Sequence, residues 1–482
     1  MGGPQGMAVR SVRAKPRKQR AAIPAPGGGA GPRDGAEDRY RRLPTGTHGL
    51  DPEEIRRDQR ERLRSALIEL VARRGYPAVR ILDVSKLARV SRPTFYGLYA
   101  NKEALFLDAY DEISVRAART VTRAYRAERA AGARDDEAPM RVFCELAAAE
   151  PEAMSLFVLG AFGAGAKALE RRKRTLQALE QVIRSSRNPG SAEHTVDLTA
   201  KVLIGGTREV TAARLRRGRS GELPGLAGEL AAWAACYPHG LPERLEQVEA
   251  PRSLQADSGG GPISERARRA KGRRLPSGRH ALPRTFILKS QRERIVDATA
   301  SIVAARGLAG LTIPEIARHA NVSHQTFYEI YETKHDAFLG ALKVGMHQAL
   351  LVFAKAYDAH SGDWPRALVG GLRALIEYVV SEPVHAHLSL VDTFAASPEA
   401  IEIRDSALAA FAAHLTPGYE LARGRHEVPL IAVEAITGGI WQILHDYVDD
   451  GRISELGRLA PQVGYLALVP FLGPDAAADA VS

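Results

Sequence analysis

One feature limits this architecture more than any other: a long segment of the chain occurs twice in the same register. Gln59-Arg60-Glu61-Arg62 returns as Gln291-Arg292-Glu293-Arg294, 232 positions later. At the same offset, Val90-Ser91-x-x-Thr94-Phe95-Tyr96 returns as Val322-Ser323-x-x-Thr326-Phe327-Tyr328. Residues 59–106 and 291–338 share 19 identities in 48 gapless positions. The match extends outward, from Arg41-Arg42-Leu43-Pro44 and Arg273-Arg274-Leu275-Pro276 to Glu150-Pro151 and Glu382-Pro383. Near the end the offset becomes 233, pairing Gly205-Gly206 with Gly438-Gly439 and Gly240 with Gly473. One net inserted residue over so long a register marks a duplicated whole unit, not a shared short motif.

Six segments follow from this. Residues 1–40, rich in Gly, Pro and Arg, read as a disordered basic tail, and 241–272 as a linker. Residues 41–115 and 273–347 read as matching domains led by basic arms (41–58 and 273–290), and 116–240 and 348–475 as helical domains after them.

Charge follows the same division. The net charge is +11; residues 1–50 and 251–285 each contribute +7, which leaves −3 for everything else. Basic arms on near-neutral domains fit a polyanionic partner. With two cysteines, Cys144 and Cys236, and no Cys-x-x-Cys, neither a disulfide framework nor a zinc or redox motif is expected. Cys144 reads as core. The longest apolar run, Val428 to Leu444, is broken by Glu434 and by Gly438-Gly439, so no membrane span is expected. The basic N-terminus lacks the apolar run of a signal peptide. The expectation is a soluble, cytoplasmic protein.

Both units read as all-α. Ile295, Ala298, Ile302 and Ala305 fall at helical spacing before Gly307, as Leu63, Ala66, Leu67 and Leu70 do before Gly75. In the second unit, Thr312 followed by Glu315 forms a capping box with Pro314 in the first turn. Asn321 then suits a turn that needs positive φ, and Ser323 caps a further short helix. Two short helices joined this way form a helix-turn-helix, whose second helix enters the DNA major groove by its leading end. Phe327 and Ile316 are spaced to pack inward. His324, Gln325, Thr326 and Tyr328 project outward, and Lys334 stands where it could meet a phosphate. The first unit assigns these roles to Ser91, Arg92, Pro93, Thr94, Tyr96 and Lys102, with Phe95 and Val84 inside.

Both motifs resemble the DNA-binding domain of TetR/AcrR-family bacterial transcriptional regulators. The resemblance is carried by Val90, Ser91, Thr94, Phe95, Tyr96, Tyr99 and Lys102, and by Val322, Ser323, Thr326, Phe327, Tyr328, Tyr331 and Lys334. It implies a double-stranded DNA operator as partner, a small-molecule effector, and pairing of units through the last two long helices of each. Segments 195–217 and 225–237 should therefore pack on 428–450 and 458–470, giving an intramolecular pseudo-dimer, with a homodimer as the other option. The family's turn glycine is Arg89 in the first unit, and its capping Thr is Arg80, so that copy is the more degenerate. Glu329 places a carboxylate on the DNA-facing side of the second. Arg279, whose counterpart is Thr47, is a candidate for an adjacent minor groove.

Tyr99 and Tyr331 read as core. His385-x-His387 sits at a spacing that points two helical side chains apart, so no metal site is expected. No nucleophile elbow, P-loop, dinucleotide fingerprint or His-Glu-x-x-His occurs, so neither an enzyme nor a cofactor is expected. For the effector, the resemblance points to the helices after the second motif. These offer Phe353, Tyr357, Tyr378, His387, Asp392, Phe394, Trp441 and His445, against a sparser Arg123, Phe157, Phe162 and Arg208 in the first unit. The functional expectation is a ligand-responsive repressor on an asymmetric operator. The alternatives are an architectural DNA-binding protein without an effector, or a regulator with one degenerate head.

Overall fold

The computed structural model describes residues 51–131, 137–187, 198–238 and 283–482, together with Tyr40, Pro242 and Leu245. Nearly all of the tail and linker, and both Thr47 and Arg279, lie outside the described residues.

Cap chemistry sets where the first helix of each unit starts and stops. Helix α1 (Pro52–Arg74) opens on Asp51, whose carboxylate accepts from the Glu53 amide at 3.0 Å, with Pro52 in the tolerated first position. It ends at Gly75, φ 72°, as its counterpart Arg284–Arg306 ends at Gly307, φ 64°. Both helices therefore begin inside the segments read as arms. Their buried stripes are those expected, except that Ala305, in the last turn of its helix, is exposed.

The first unit continues through α2 (Ile81–Leu87), α3 (Arg92–Leu98), α4 (Lys102–Ala130), α5 (Glu137–Ala149), α6 (Pro151–Val158), α7 (Ala166–Arg187), α8 (Thr199–Arg216) and α9 (Leu223–Ala235). The second repeats the pattern: α10 (Arg284–Arg306), α11 (Ile313–Ala320), α12 (His324–Ile330), α13 (Lys334–Asp358), α14 (Trp364–Ser381) and α15 (Pro383–Leu390). Then come α16 (Thr393–Ala396), α17 (Pro398–Ala412), α18 (Pro417–Ala422), α19 (Ala432–Asp449), α20 (Leu456–Leu472) and α21 (Pro474–Val481). The fold is all-α, with no strand among the described residues. The boundaries drawn at 115/116 and 347/348 fall inside α4 and α13, because one continuous helix closes each head and begins the domain behind it. Helix α13 is long and apolar enough to cross a bilayer (mean hydropathy 1.5), but it is a bundle helix here. It packs on α14 and buries Phe338, Leu342 and Phe353.

Between the units, α8 lies across α19. The two Gly-Gly steps meet at the crossing, where a Cβ on Gly206 would stand 2.5 Å from the Ala435 carbonyl oxygen and one on Gly439 2.8 Å from that of Val202. Only glycine lets the backbones come this close. Around the crossing, Phe162 stacks on its own counterpart Phe394, ring centres 4.4 Å apart. Arg404 bonds Glu209 at 2.5 and 3.0 Å, while its counterpart Arg172 reaches Gln442, the residue matching Glu209, at 3.1 Å. Burial pushes the Glu209 carboxyl up, but Arg404 and Arg216 outweigh it and hold the group at about 2. Farther out the signs are exchanged: Lys173 meets Asp450 at 2.5 Å, and Asp405, in the place of Lys173, meets Arg216 at 3.0 Å. Tyr237 donates to the Leu466 carbonyl at 3.0 Å, joining the end of α9 to the middle of α20.

Candidate nucleic-acid interface and effector clefts

Each head is a helix-turn-helix with the turn held in the left-handed region. Asn321 sits at φ 51° and Arg89 at φ 54°, so the first unit keeps the same turn with a less suitable residue. Carbonyls at the start of the turn are secured by arginine from the preceding long helix. Arg62 donates to Ala88 O at 3.0 Å, and Arg294 to Ala320 O and Asn321 O at 3.0 and 2.9 Å. These residues were not singled out from the sequence. The signal was present, because each closes a Gln-Arg-Glu-Arg repeat.

The recognition helices α3 and α12 are capped alike. Ser91 Oγ accepts from the Thr94 amide at 3.1 Å and lies 2.7 Å from its hydroxyl; Ser323 and Thr326 match this at 3.0 and 2.9 Å. The serines and threonines thus build the helix start before they meet any ligand. Phe95 and Phe327 are fully buried against Val84 and Ile316, which are buried too. Arg92, Pro93, His324 and Gln325 are exposed at the leading ends, and Glu329 is exposed beside them. Tyr96 and Tyr328, half exposed, stand edge-on to the buried phenylalanines at 5.4 and 5.6 Å.

Both lysines and one capping position depart from the simple reading. Lys102 donates to Tyr76 O at 2.9 Å and Val79 O at 2.7 Å, and Lys334 donates to Leu311 O at 2.8 Å. Both ammonium groups close carbonyls ahead of the motif's first helix, which leaves fewer hydrogens for a phosphate. Thr312 caps α11, accepting from the Glu315 amide at 3.4 Å. Arg80 cannot accept; there Asp83 takes the Arg80 amide at 3.3 Å and supplies half of the box.

Behind each head lies an apolar cleft. In the second unit it encloses about 80 Å³ and is walled by Phe353, Tyr378 and Trp441 among the expected residues, and by Met346, Leu375 and Phe411 besides. His385 and Ser389 belong to its lining, and His385 Nδ1 and Ser389 Oγ are buried without a hydrogen-bond partner. His385 Nε2 lies 3.3 Å from Asp297 Oδ1 on α10, which ties the cleft wall to the head. The other expected residues are elsewhere. Tyr357 packs on His414 at 4.8 Å, and His387 pairs with Asp392 at 2.9 Å. Phe394 and His445 turn to Phe162 in the crossing between units. In the first unit a cleft of about 90 Å³ includes Phe157 and Arg208, whereas Phe162 belongs to the crossing and Arg123 is not part of the wall. Tyr99 and Cys144 are buried, and Tyr331 is partly so.

Bacterial regulatory proteins of the tetR family match the chain twice, over residues 63–109 and 295–340. Curated proteins give no match.

Proposed function

The chain is a TetR-family DNA-binding transcriptional regulator carrying its family's DNA-binding unit twice, and from that premise we propose that it works as a single-chain, ligand-responsive repressor. The observation that carries the reading is the hydrogen bond from His385 in the second cleft to Asp297 on the first helix of the second head. A small apolar effector with one polar group facing His385 Nδ1 and Ser389 Oγ would alter that link and re-aim the head. The glycine crossing supports an intramolecular pseudo-dimer, since a tether raises the effective concentration of one unit for the other.

The two heads then address one asymmetric operator. Arg92-Pro93 leads the first recognition helix and His324-Gln325 the second; Arg suits guanine O6 and N7, Gln adenine N6 and N7. Selection of sites from random DNA should return two unlike half-sites with fixed spacing. A symmetric palindrome overturns the asymmetric reading. Salt-sensitive, sequence-blind binding selects an architectural role instead.

A further inference from the structure

Arg208 lies on α8 in the wall of the first unit's cleft and is only 8% exposed. Its Nη2 donates to the Val158 carbonyl at 2.6 Å, while its Nη1 is buried and meets no acceptor. The carboxylates whose charges reach it, Asp446 and Glu209, are bonded to Lys201 and Arg404 instead. A second buried guanidinium, Arg172, repels it; Arg172 donates to the neutral Gln442 amide and lies over the Phe162 ring, with no carboxylate bonded to it among the described residues. Burial, aided by Arg172, pulls the Arg208 guanidinium down to about 9, which still leaves it charged near neutrality. A buried cation without a counter-charge is costly, and the fold does not require one here, because the second unit places Trp441 at the matching position. Apart from Thr207, the rest of the cleft is largely apolar, walled by Tyr125, Phe143, Leu176, Leu179 and Ile183.

We propose that the first unit's cleft binds an amphiphilic carboxylate, its apolar tail among these walls and its carboxylate on Arg208 Nη1. The second unit, with Trp441 in place of Arg208, takes a neutral apolar ligand. The two halves of the chain thus sense different chemistry. The inference rests on the reading of the clefts as effector sites.

Calorimetric titration of the full chain with decanoate and 4-phenylbutyrate, each against the alcohol of the same skeleton, tests it. At least one acid should bind at one equivalent per chain and at least tenfold more tightly than its alcohol. Arg208→Met should cut that affinity about ten- to a hundredfold and leave the alcohol unchanged, and Arg208→Lys should retain part of it. Because the substitution removes an unpaired buried charge, Arg208→Met should melt no lower than the parent, which keeps the comparison readable. Acids that do not bind, acids that bind no better than their alcohols, or unchanged acid binding by Arg208→Met would each overturn the proposal. Operator binding is measured separately. Acid binding that leaves DNA affinity untouched counts against the repressor reading alone, and DNA release by neutral ligands with no acid binding counts against this one alone.

Discussion

The same substitution, glycine to alanine inside a helix, should have opposite signs at two positions of this chain. Gly228 lies in α9 with nothing within 4 Å of where a Cβ would stand. Alanine there restricts the unfolded chain and favours helix, so Gly228→Ala should stabilise by about 1 kcal/mol. Gly206 lies in α8 and carries the same helical advantage. A Cβ there, however, would stand 2.5 Å from both the Ala435 carbonyl oxygen and the tip of Trp233. The carbonyl is backbone and cannot rotate aside, and Trp233 is fully buried, so the helices must part. Overpacking of this kind costs roughly 1–3 kcal/mol, and two rigid neighbours favour the upper end. That cost is the difference to be seen between the variants, and at its upper end it makes Gly206→Ala less stable than the parent by about 2 kcal/mol. Denaturant unfolding of the full chain, with equal m-values as the control, measures it. If Gly206→Ala is as stable as Gly228→Ala, the close crossing of α8 and α19 does not exist in solution.

Four other outcomes are expected. Arg89→Gly should raise stability by about 1 kcal/mol, because φ 54° strains an arginine, while Asn321→Gly should gain less than half of that in the same unfolding assay. Glu209 titrates lower in the folded chain than its ordinary 4.5, so its contribution is complete above that pH and is lost as pH falls toward about 2; Glu209→Gln should flatten the stability profile across that interval. Arg92→Ala should cost roughly 1–3 kcal/mol of operator affinity and relax base preference in one half-site only, as read by binding to single-base variants of the selected site. Lys334→Ala should weaken binding to every sequence and also lower the melting temperature through its lost bond to Leu311, a charge-assisted hydrogen bond of about 1 kcal/mol. Loss of binding with unchanged melting would return Lys334 to a purely phosphate-directed role.

Local chemistry was the legible part. Caps such as Ser323, the left-handed position at Asn321 and the inward Phe327 depend on neighbours a few residues away, and the duplication displays each of them twice. Lys334 was harder, because a phosphate contact and a cap on backbone carbonyls call for the same residue type at the same place. Arg62 and Arg294 were overlooked although the repeat marks them, since their partners lie 26 positions on, at the helix-turn-helix turn. The clefts are legible only in composition. Phe394 and Trp441 are equally apolar on paper, yet Phe394 stacks on Phe162 in the crossing between units, whereas Trp441 reaches both the cleft wall and Arg404 at the crossing. The need of Arg208 for a counter-charge was invisible, because sequence does not reveal that Glu209 and Asp446 are already committed.

Placing α8 and α19 on one polypeptide also changes how occupancy of DNA depends on the amount of protein. A regulator assembled from separate subunits must first find its partner, so at low copy number its active form falls with the square of concentration. If the two halves pair within the chain as proposed, it loads an operator in one encounter, occupancy follows the first power, and a damaged copy does not poison intact ones. Each half is encoded once, and this is what allows Lys173 and Asp405, one position in the ancestral unit, to carry opposite charges. In a symmetric pair that position would have to serve both sides with a single sign.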